Sequence, residues 1–373
     1  SVMMNFHIEN FKCYYNTDIP LNYLTVLAGA NGNGKSTAIQ ALLMMRNAYD
    51  HGLKYNSAIE INGPYCLSLG TTLDIIPVEA DRNSSMVLSL TANRENASFT
   101  FPLSDEHADL ALYINERSFS DNFRKIPLFR KEFYYLNAER VGPRVSQNIK
   151  VYKYPNVGWQ GEYCAQILSE MSSVRDFVVD EKRCYDTGKS RDALTQAQLW
   201  MQSLFPDIVI QSELNPKSLS AQIYITHNYT SGAPVLSTNV GFGVSYVLPI
   251  IVTGLVAEKG SIMIVENPEA HLHPSAQTSI AEYLAKVAQA GVYVIVETHS
   301  DHFINGIQLA VAGKKLSNDS VVINYVNQMG KTHRPEIKSI YLSDKAELSE
   351  WPDGFFNQTQ KDFARLFNLR RNG

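Results

Sequence analysis

Apolar residues along this chain fall into short runs of two kinds, and their alternation predicts an α/β protein. Strand-like alternation opens it at 3–11, "MMNFHIENF", and "YLTVLAG" at 23–29 is a short apolar strand running into a glycine loop. A helix is predicted at 36–49, where "STAIQALLMMRNAY" spaces Ala, Leu and Met helically without a breaker. From about 57 to 115 short alternating runs, punctuated by Asn-Gly, Asp and Pro, predict an antiparallel meander. The stretch 146–206 holds two amphipathic helix candidates, 162–178 and 193–205, and predicts a helical insertion closed by Pro206. Strand signals return at 208–214 and 220–227. Helices at 244–257, 275–290 and 301–312 then interleave with wholly apolar strands at 261–266, 292–297 and 320–326. Strands apolar on both faces and separated by helices imply a mainly parallel sheet flanked by helices. No internal repeat or low-complexity tract interrupts this pattern.

Composition narrows the setting. The chain has 373 residues, 45% hydrophobic and 19% charged, which is ordinary globular usage. A formal net charge of −4 gives no overall pull toward nucleic acid or anionic lipid, so such binding would need a local patch. Arg124/Lys125, Arg130/Lys131 and Arg370/Arg371 read as solvated faces. Four dispersed cysteines without a C-x-x-C pair fit neither a zinc cassette nor a disulfide framework, and a reducing cytoplasm is expected. The longest apolar stretch, 247–257, falls short of the roughly 20 residues a bilayer span needs. No signal-peptide pattern precedes the first strand, so a soluble, cytoplasmic protein without a membrane partner is expected.

The glycine loop carries the chemistry. "GANGNGKST" matches G-x-x-x-x-G-K-[ST] at Gly29, Gly34, Lys35 and Ser36, between a predicted strand and a predicted helix. Glycines let backbone N–H groups turn inward as an anion nest, and the helix start adds its dipole. Lys35 would reach the terminal phosphates, and the Ser36 hydroxyl would ligate magnesium. Such a loop needs a carboxylate at the end of a neighbouring buried strand, and "SIMIVE" supplies Glu266, far enough along to demand a large insertion between the two halves. A third apolar strand ends in Thr298-His299, which places an imidazole where a γ-phosphate could be sensed. His271 and His273 lack a third ligand at diagnostic spacing and read as shaping a loop before Pro274.

Four segments carry a resemblance: 8–42 with the glycine loop, "NVGFGVSYVLPIIV", "IVENPEAHLHPSAQ" and "VIVETHSDHFINGIQLAV". Together they resemble the OLD-type (overcoming lysogenization defect) branch of the ABC ATPases, relatives of SMC and DNA-repair heads. The closing "EWPDGFFNQTQKDF" resembles the tail of a subgroup whose tail function is uncharacterised. The resemblance implies a P-loop ATPase head split between 1–145 and 207–345, a helical insertion at 146–206 and a tail at 346–373. It implies that Gly29, Ala30, Asn31, Gly32, Asn33, Gly34, Lys35, Ser36 and Thr37 form the Walker A loop for ATP and Mg2+. Glu266 becomes the Walker B acid, "EAHLHP" the D-loop, and His299 the switch histidine. Lys12 would contact nucleotide near its entry strand. "NVGFGVS" would cap the γ-phosphate of ATP bound to a second copy, so ATP would join a homodimer.

Two departures from the family pattern bear on function. Gly241 stands where the signature usually presents a serine, which leaves capping to Gly241, Gly243 and Ser245. Asn267 stands where most relatives carry the water-activating glutamate. An amide can orient a water but cannot take its proton, and general-base help is worth about 10² to 10⁴ in rate. Glu269 or His299 would have to substitute, so a slow ATPase is expected. OLD-like proteins usually carry a C-terminal Toprim nuclease, and the residues after His299 are too few for one; a separate effector protein, a nuclease or toxin, is the implied partner, with anti-phage defence as a setting. The competing reading is an SMC-like, ATP-dependent clamp or structural module on DNA with little turnover, although no long heptad coiled coil is visible. A transporter subunit is disfavoured by the irregular signature. The segment 134–144, "YYLNAERVGPR", reads equally as a nucleotide-coupling loop led by Arg140 and as an Arg/Glu pair at a strand edge.

Overall fold

The computed structural model describes residues 3–372 apart from 31, 33, 55–56, 82, 104–107, 143–145, 175, 207, 228–234, 237–241, 330–333, 353 and 355–357. In chain order the first part holds β1 (Met4–Phe11), β2 (Tyr14–Leu21), β3 (Leu24–Ala28), α1 (Lys35–His51), β4 (Ala58–Glu60) and α2 (Thr72–Ile75). Next come β5 (Ser85–Ala92), β6 (Glu95–Pro102), β7 (Ala111–Tyr113), β8 (Glu116–Phe119) and β9 (Phe133–Leu136). The middle holds β10 (Gln147–Asn148), α3 (Cys164–Ser169), α4 (Ala193–Leu204), β11 (Ile208–Asn215), β12 (Ser220–His227) and β13 (Val235–Leu236). The last third runs through α5 (Phe242–Val256), β14 (Ile262–Glu266), α6 (Pro274–Gln289), β15 (Tyr293–Glu297), α7 (Asp301–Ala312), β16 (Val321–Met329), β17 (Arg334–Ile340) and α8 (Gln358–Asn372).

Among the described residues the central sheet has the order β17-β16-β3-β15-β14-β9. Its strands pair in parallel except β17, which closes one edge antiparallel to β16. Alternation along each strand divides the interior in two. Val294 and Val296 of β15 face a core with α3 to α7, whereas Ile295 faces a second core with α1. That second core lies under an antiparallel sheet ordered β2-β1-β5-β6-β8, so α1 is wedged between two sheets and is buried on most of its circumference. The meander expected from 57 to 115 thus takes β1 and β2 as members; β2 escapes the sequence pattern because polar Asn16, Thr17 and Asp18 fall in its middle.

The stretch 146–206 carries the helices α3 and α4 together with non-helical structure. It begins in β10, which pairs with β12, and the candidate helix 162–178 is α-helical only from Cys164 to Ser169 before a wider π-type turn at Glu170–Val174. Within that turn the Ser172 hydroxyl accepts from the Leu194 N–H at 2.7 Å, a side-chain tie of the kind serine offers in competition with regular backbone pairing. Ile167 and Met201 from α3 and α4 sit in the same core as β14 and β15. No helix among the described residues is long and apolar enough to cross a membrane.

Candidate functional site

The site gathers where the parallel strands end. β3 delivers the chain into the loop at Gly29, and α1 begins at Lys35. Gly29 has φ +139, and a Cβ there would stand 2.3 Å from the Val326 carbonyl oxygen of β16, so only glycine fits. Gly32 and Gly34 also take left-handed backbone angles. Ala30 and Ser36 are exposed at the mouth of the loop and Thr37 is half-buried, while Asn31 and Asn33 lie outside the described residues. The hairpin between β1 and β2 props the loop from the side. Tyr14 donates its hydroxyl to the Gly34 carbonyl at 2.7 Å, and Lys12 Nζ donates to Gln40 Oε1 of α1 at 3.1 Å. Burial draws the Lys12 ammonium below its usual range.

Lys35 is 3% exposed, and its ammonium turns back to the Gly29 carbonyl. Its counter-charge is Glu297, whose Oε1 lies 3.9 Å from Nζ. Burial pulls the lysine down and Glu297 pushes it back up. β15 lies between β3 and β14, so the strand bearing Glu266 is not the neighbour of the P-loop strand, contrary to expectation; Glu297 ends the strand that is. Glu297 pairs in register with Glu266 across the β14–β15 ladder. Burial first, and then Glu266, pushes the Glu297 carboxyl up to about 7.

The protein itself holds the Glu266 carboxylate. Tyr135 Oη donates to Oε2 at 2.9 Å and the Ala138 N–H donates to the same oxygen at 3.0 Å. Burial nevertheless lifts its pKa. Asn267 leaves the strand with φ +53, its N–H donating to the Glu297 carbonyl at 2.9 Å. Glu269 Oε1 accepts from the His299 N–H at 3.2 Å and lies 3.7 Å from its Nδ1. Lys35, Glu266, Asn267, Glu269, Glu297 and His299 therefore form one cluster.

Arg140 stands behind that cluster. It is 3% exposed, and its guanidinium donates to the carbonyls of Asn137, Tyr246, Glu266 and Asn267. A fork whose nitrogens are spent on carbonyls positions the end of β14. Its plane also lies over Tyr246 of α5, whose ring meets His271 edge-on at 4.7 Å. Gly243 packs there too, since a Cβ on it would stand 2.8 Å from the His271 carbonyl oxygen. Ser245 lines a hollow of about 30 Å³ with Val141, Gln147 and Cys164. Gly241 lies outside the described residues.

Sequence reasoning missed Tyr14, Tyr135 and Glu297. The signal for Glu297 was available, because "VYVIVE" repeats the apolar-run-then-acid pattern of "SIMIVE". A nucleoside triphosphate with a divalent cation fits what is present. The loop offers a buried ammonium at a helix start, and two buried acceptors, Asn267 Oδ1 and Glu269 Oε2, have no hydrogen-bond partner among the described residues.

Comparisons with known proteins bear on the family and the fold. The family model described as "AAA domain, putative AbiEii toxin, Type IV TA system" matches residues 24–305, and a "Protein of unknown function (DUF3696)" model matches 316–366. The chain is 22% identical over 372 residues to the OLD nuclease of Thermus scotoductus, covering 91% of this chain and 67% of that protein. It is 26% identical over 98 residues to the Old nuclease of Escherichia phage P2, covering 24% of this chain and 17% of that one. An SMC head solved with the C-winged helix domain of ScpA superposes with a TM-score of 0.57 at 11% identity, over 91% of this chain and 97% of the other; that likeness shows the fold alone. The chain belongs to this AAA-domain family of P-loop ATPases, an OLD-like member with the ABC-type fold of SMC heads.

Proposed function

We propose that this protein is a slow, magnesium-dependent ATPase whose ATP-bound form is a homodimer, and that it gates a separate effector, a nuclease or toxin, in a cytoplasmic setting such as bacterial anti-phage defence. The observation that carries the reading is Lys35, a buried ammonium at the start of α1 facing the acids that end β15 and β14. Backbone N–H groups from Gly29 to Thr37 would cradle the phosphates and Lys35 would reach the terminal ones, with Lys12 beside the entry strand. Ser36 and Glu266 would hold the magnesium, which when bound neutralises phosphate charge. Asn267 would orient a water without taking its proton, with Glu269 and His299 paired alongside. Gly241, Gly243 and Ser245 of a second copy would cap the γ-phosphate. Arg140 would tie that capping helix to the end of β14 through Tyr246, so a shift at one is felt at the other. The curated relatives extend beyond the matched region, and what those nucleases do is carried here only as far as the ATPase part.

Single-turnover hydrolysis by wild type, Glu266→Gln, Glu269→Gln and Asn267→Glu tests this. A slow wild type, a silent Glu266→Gln and an accelerated Asn267→Glu are expected. A fast wild type indifferent to Glu266→Gln and Glu269→Gln would defeat it.

A second reading, ATP-dependent binding of nucleic acid, is favoured by one feature at the opposite end of the central sheet. A hollow of about 540 Å³ lined by Arg94, Lys125, Arg130 and Lys259 with Glu95 adjoins one of about 860 Å³ lined by Arg124, Arg130, Lys131 and Lys153 with Asp50 and Glu258, net positive in both. Phosphate backbones bind such cationic grooves with strong salt dependence. Binding of duplex DNA that requires ATP, weakens with salt and is lost in Lys125→Glu/Lys259→Glu supports this reading; binding unchanged by that variant removes it.

A further inference from the structure

We propose that Glu297 supplies the carboxylate that position 267 lacks, accepting the proton of the water that attacks the terminal phosphate. This rests on the ATPase reading and names a group that reading leaves out. The strand order gives Glu297 its place. β15 lies between the P-loop strand β3 and β14, and the ladder sets Glu297 level with Leu27 on one side and Glu266 on the other. The 267 and 297 positions are also tied through their backbones, by the Asn267 N–H donating to the Glu297 carbonyl at 2.9 Å. A carboxylate moved from one position to the other stays at the same corner of the site.

Each neighbouring acid already has one oxygen engaged. Glu266 Oε2 accepts from Tyr135 and from the Ala138 N–H. Glu269 Oε1 accepts from the His299 N–H, while its Oε2 has no hydrogen-bond partner among the described residues. The Glu297 carboxylate, 8% exposed, has only its ion pair with Lys35 among the described residues. In the empty loop it holds the lysine. Once the lysine is drawn to phosphate oxygens, Glu297 is left with neither oxygen engaged, whereas Glu266 and Glu269 each keep one held.

The step then balances. The water oxygen forms a bond to the terminal phosphorus, and the bond from that phosphorus to the bridging oxygen breaks. Its electron pair leaves on the diphosphate, and the water proton passes to a Glu297 oxygen. The plainer alternative is that Glu297 only neutralises Lys35, and the two differ in measurable ways.

Glu297→Gln, Asn267→Glu and the double variant should be compared by equilibrium binding of a non-hydrolysable ATP analogue and by single-turnover hydrolysis with ATP and magnesium. Glu297→Gln is expected to bind the analogue as tightly as wild type or several-fold more tightly, because a charge competing for Lys35 is gone, while its rate falls by about 10² or more. The double variant is expected to regain at least about tenfold of that rate, because general-base help of this size returns with the carboxylate at position 267. A Glu297→Gln rate within about threefold of wild type, well below what losing a general base costs, overturns the proposal. So does a lost rate that the double variant fails to restore. Should Glu297→Gln not fold, Glu297→Asp carries the test, with a lowered rate at unchanged affinity expected and an unchanged rate refuting it. If wild type itself binds no analogue, the ATPase reading fails instead, which is a different result from either.

Discussion

Lys35 has exchanged water for a glycine carbonyl and one carboxylate, and that burial sets what the residue can do. Lys35→Ala should leave the fold intact and abolish binding of an ATP analogue, measured by calorimetry; retained affinity would show that the loop is not the phosphate site. Gly29→Ala should lose both affinity and melting temperature, since its Cβ would collide with the Val326 carbonyl of a central strand. The Glu297 carboxyl makes a pH prediction. Its pKa is raised to about 7 from 4.5, so the folded chain keeps a proton that the unfolded chain releases. The associated stability is present below the lower value and is lost as pH rises through the upper one. Without nucleotide, wild-type melting temperature should therefore fall from pH 5 to 8 relative to Glu297→Gln; parallel curves would contradict the assignment. Position 297 was readable in principle, but "ETHS" drew attention to the histidine and away from the acid before it. Tyr135 was not readable, because its hydroxyl meets Glu266 only across a ladder that joins distant parts of the chain.

At the scale of elements, periodicity told most where burial is one-sided or complete. β14 and β15 are apolar throughout because both faces are covered, and α1 shows its helical spacing clearly. Pairing partners were another matter. Alternation cannot say which strand lies next to which, so β15 intervening between β3 and β14 had to be seen. The same limit hid the role of Arg140, whose four carbonyl acceptors come from three separate segments. Arg140→Ala would leave those buried carbonyls unpaired, at a cost of about 3 kcal/mol. Chemical denaturation should show that loss together with weakened nucleotide turnover, and a fully stable variant would mean that the guanidinium is dispensable. Gly306 is a second such element-level feature: α7 crosses α6 closely enough that a Cβ there would stand 2.5 Å from the Thr278 carbonyl oxygen.

On the scale of the whole molecule, one mainly parallel sheet separates two cores, and the cluster around Lys35 lies at the strand ends where both meet. The layered architecture was legible from the order of strand and helix signals. The merging of 146–206 into the main core was not, because the amphipathic faces of α3 and α4 say that something is covered without saying what. The tail helix α8 keeps Phe367 and Leu369 exposed, and neither sequence nor structure assigns them a role. In the proposed dimer two copies share bound ATP, gripped by Lys35 of one and the start of α5 of the other. Sedimentation of wild type with magnesium, with and without a non-hydrolysable ATP analogue, tests this most directly. A dimer that appears with the analogue and magnesium and disappears in Gly243→Glu is predicted; a monomer at saturating analogue, or an oligomer indifferent to nucleotide, would contradict it.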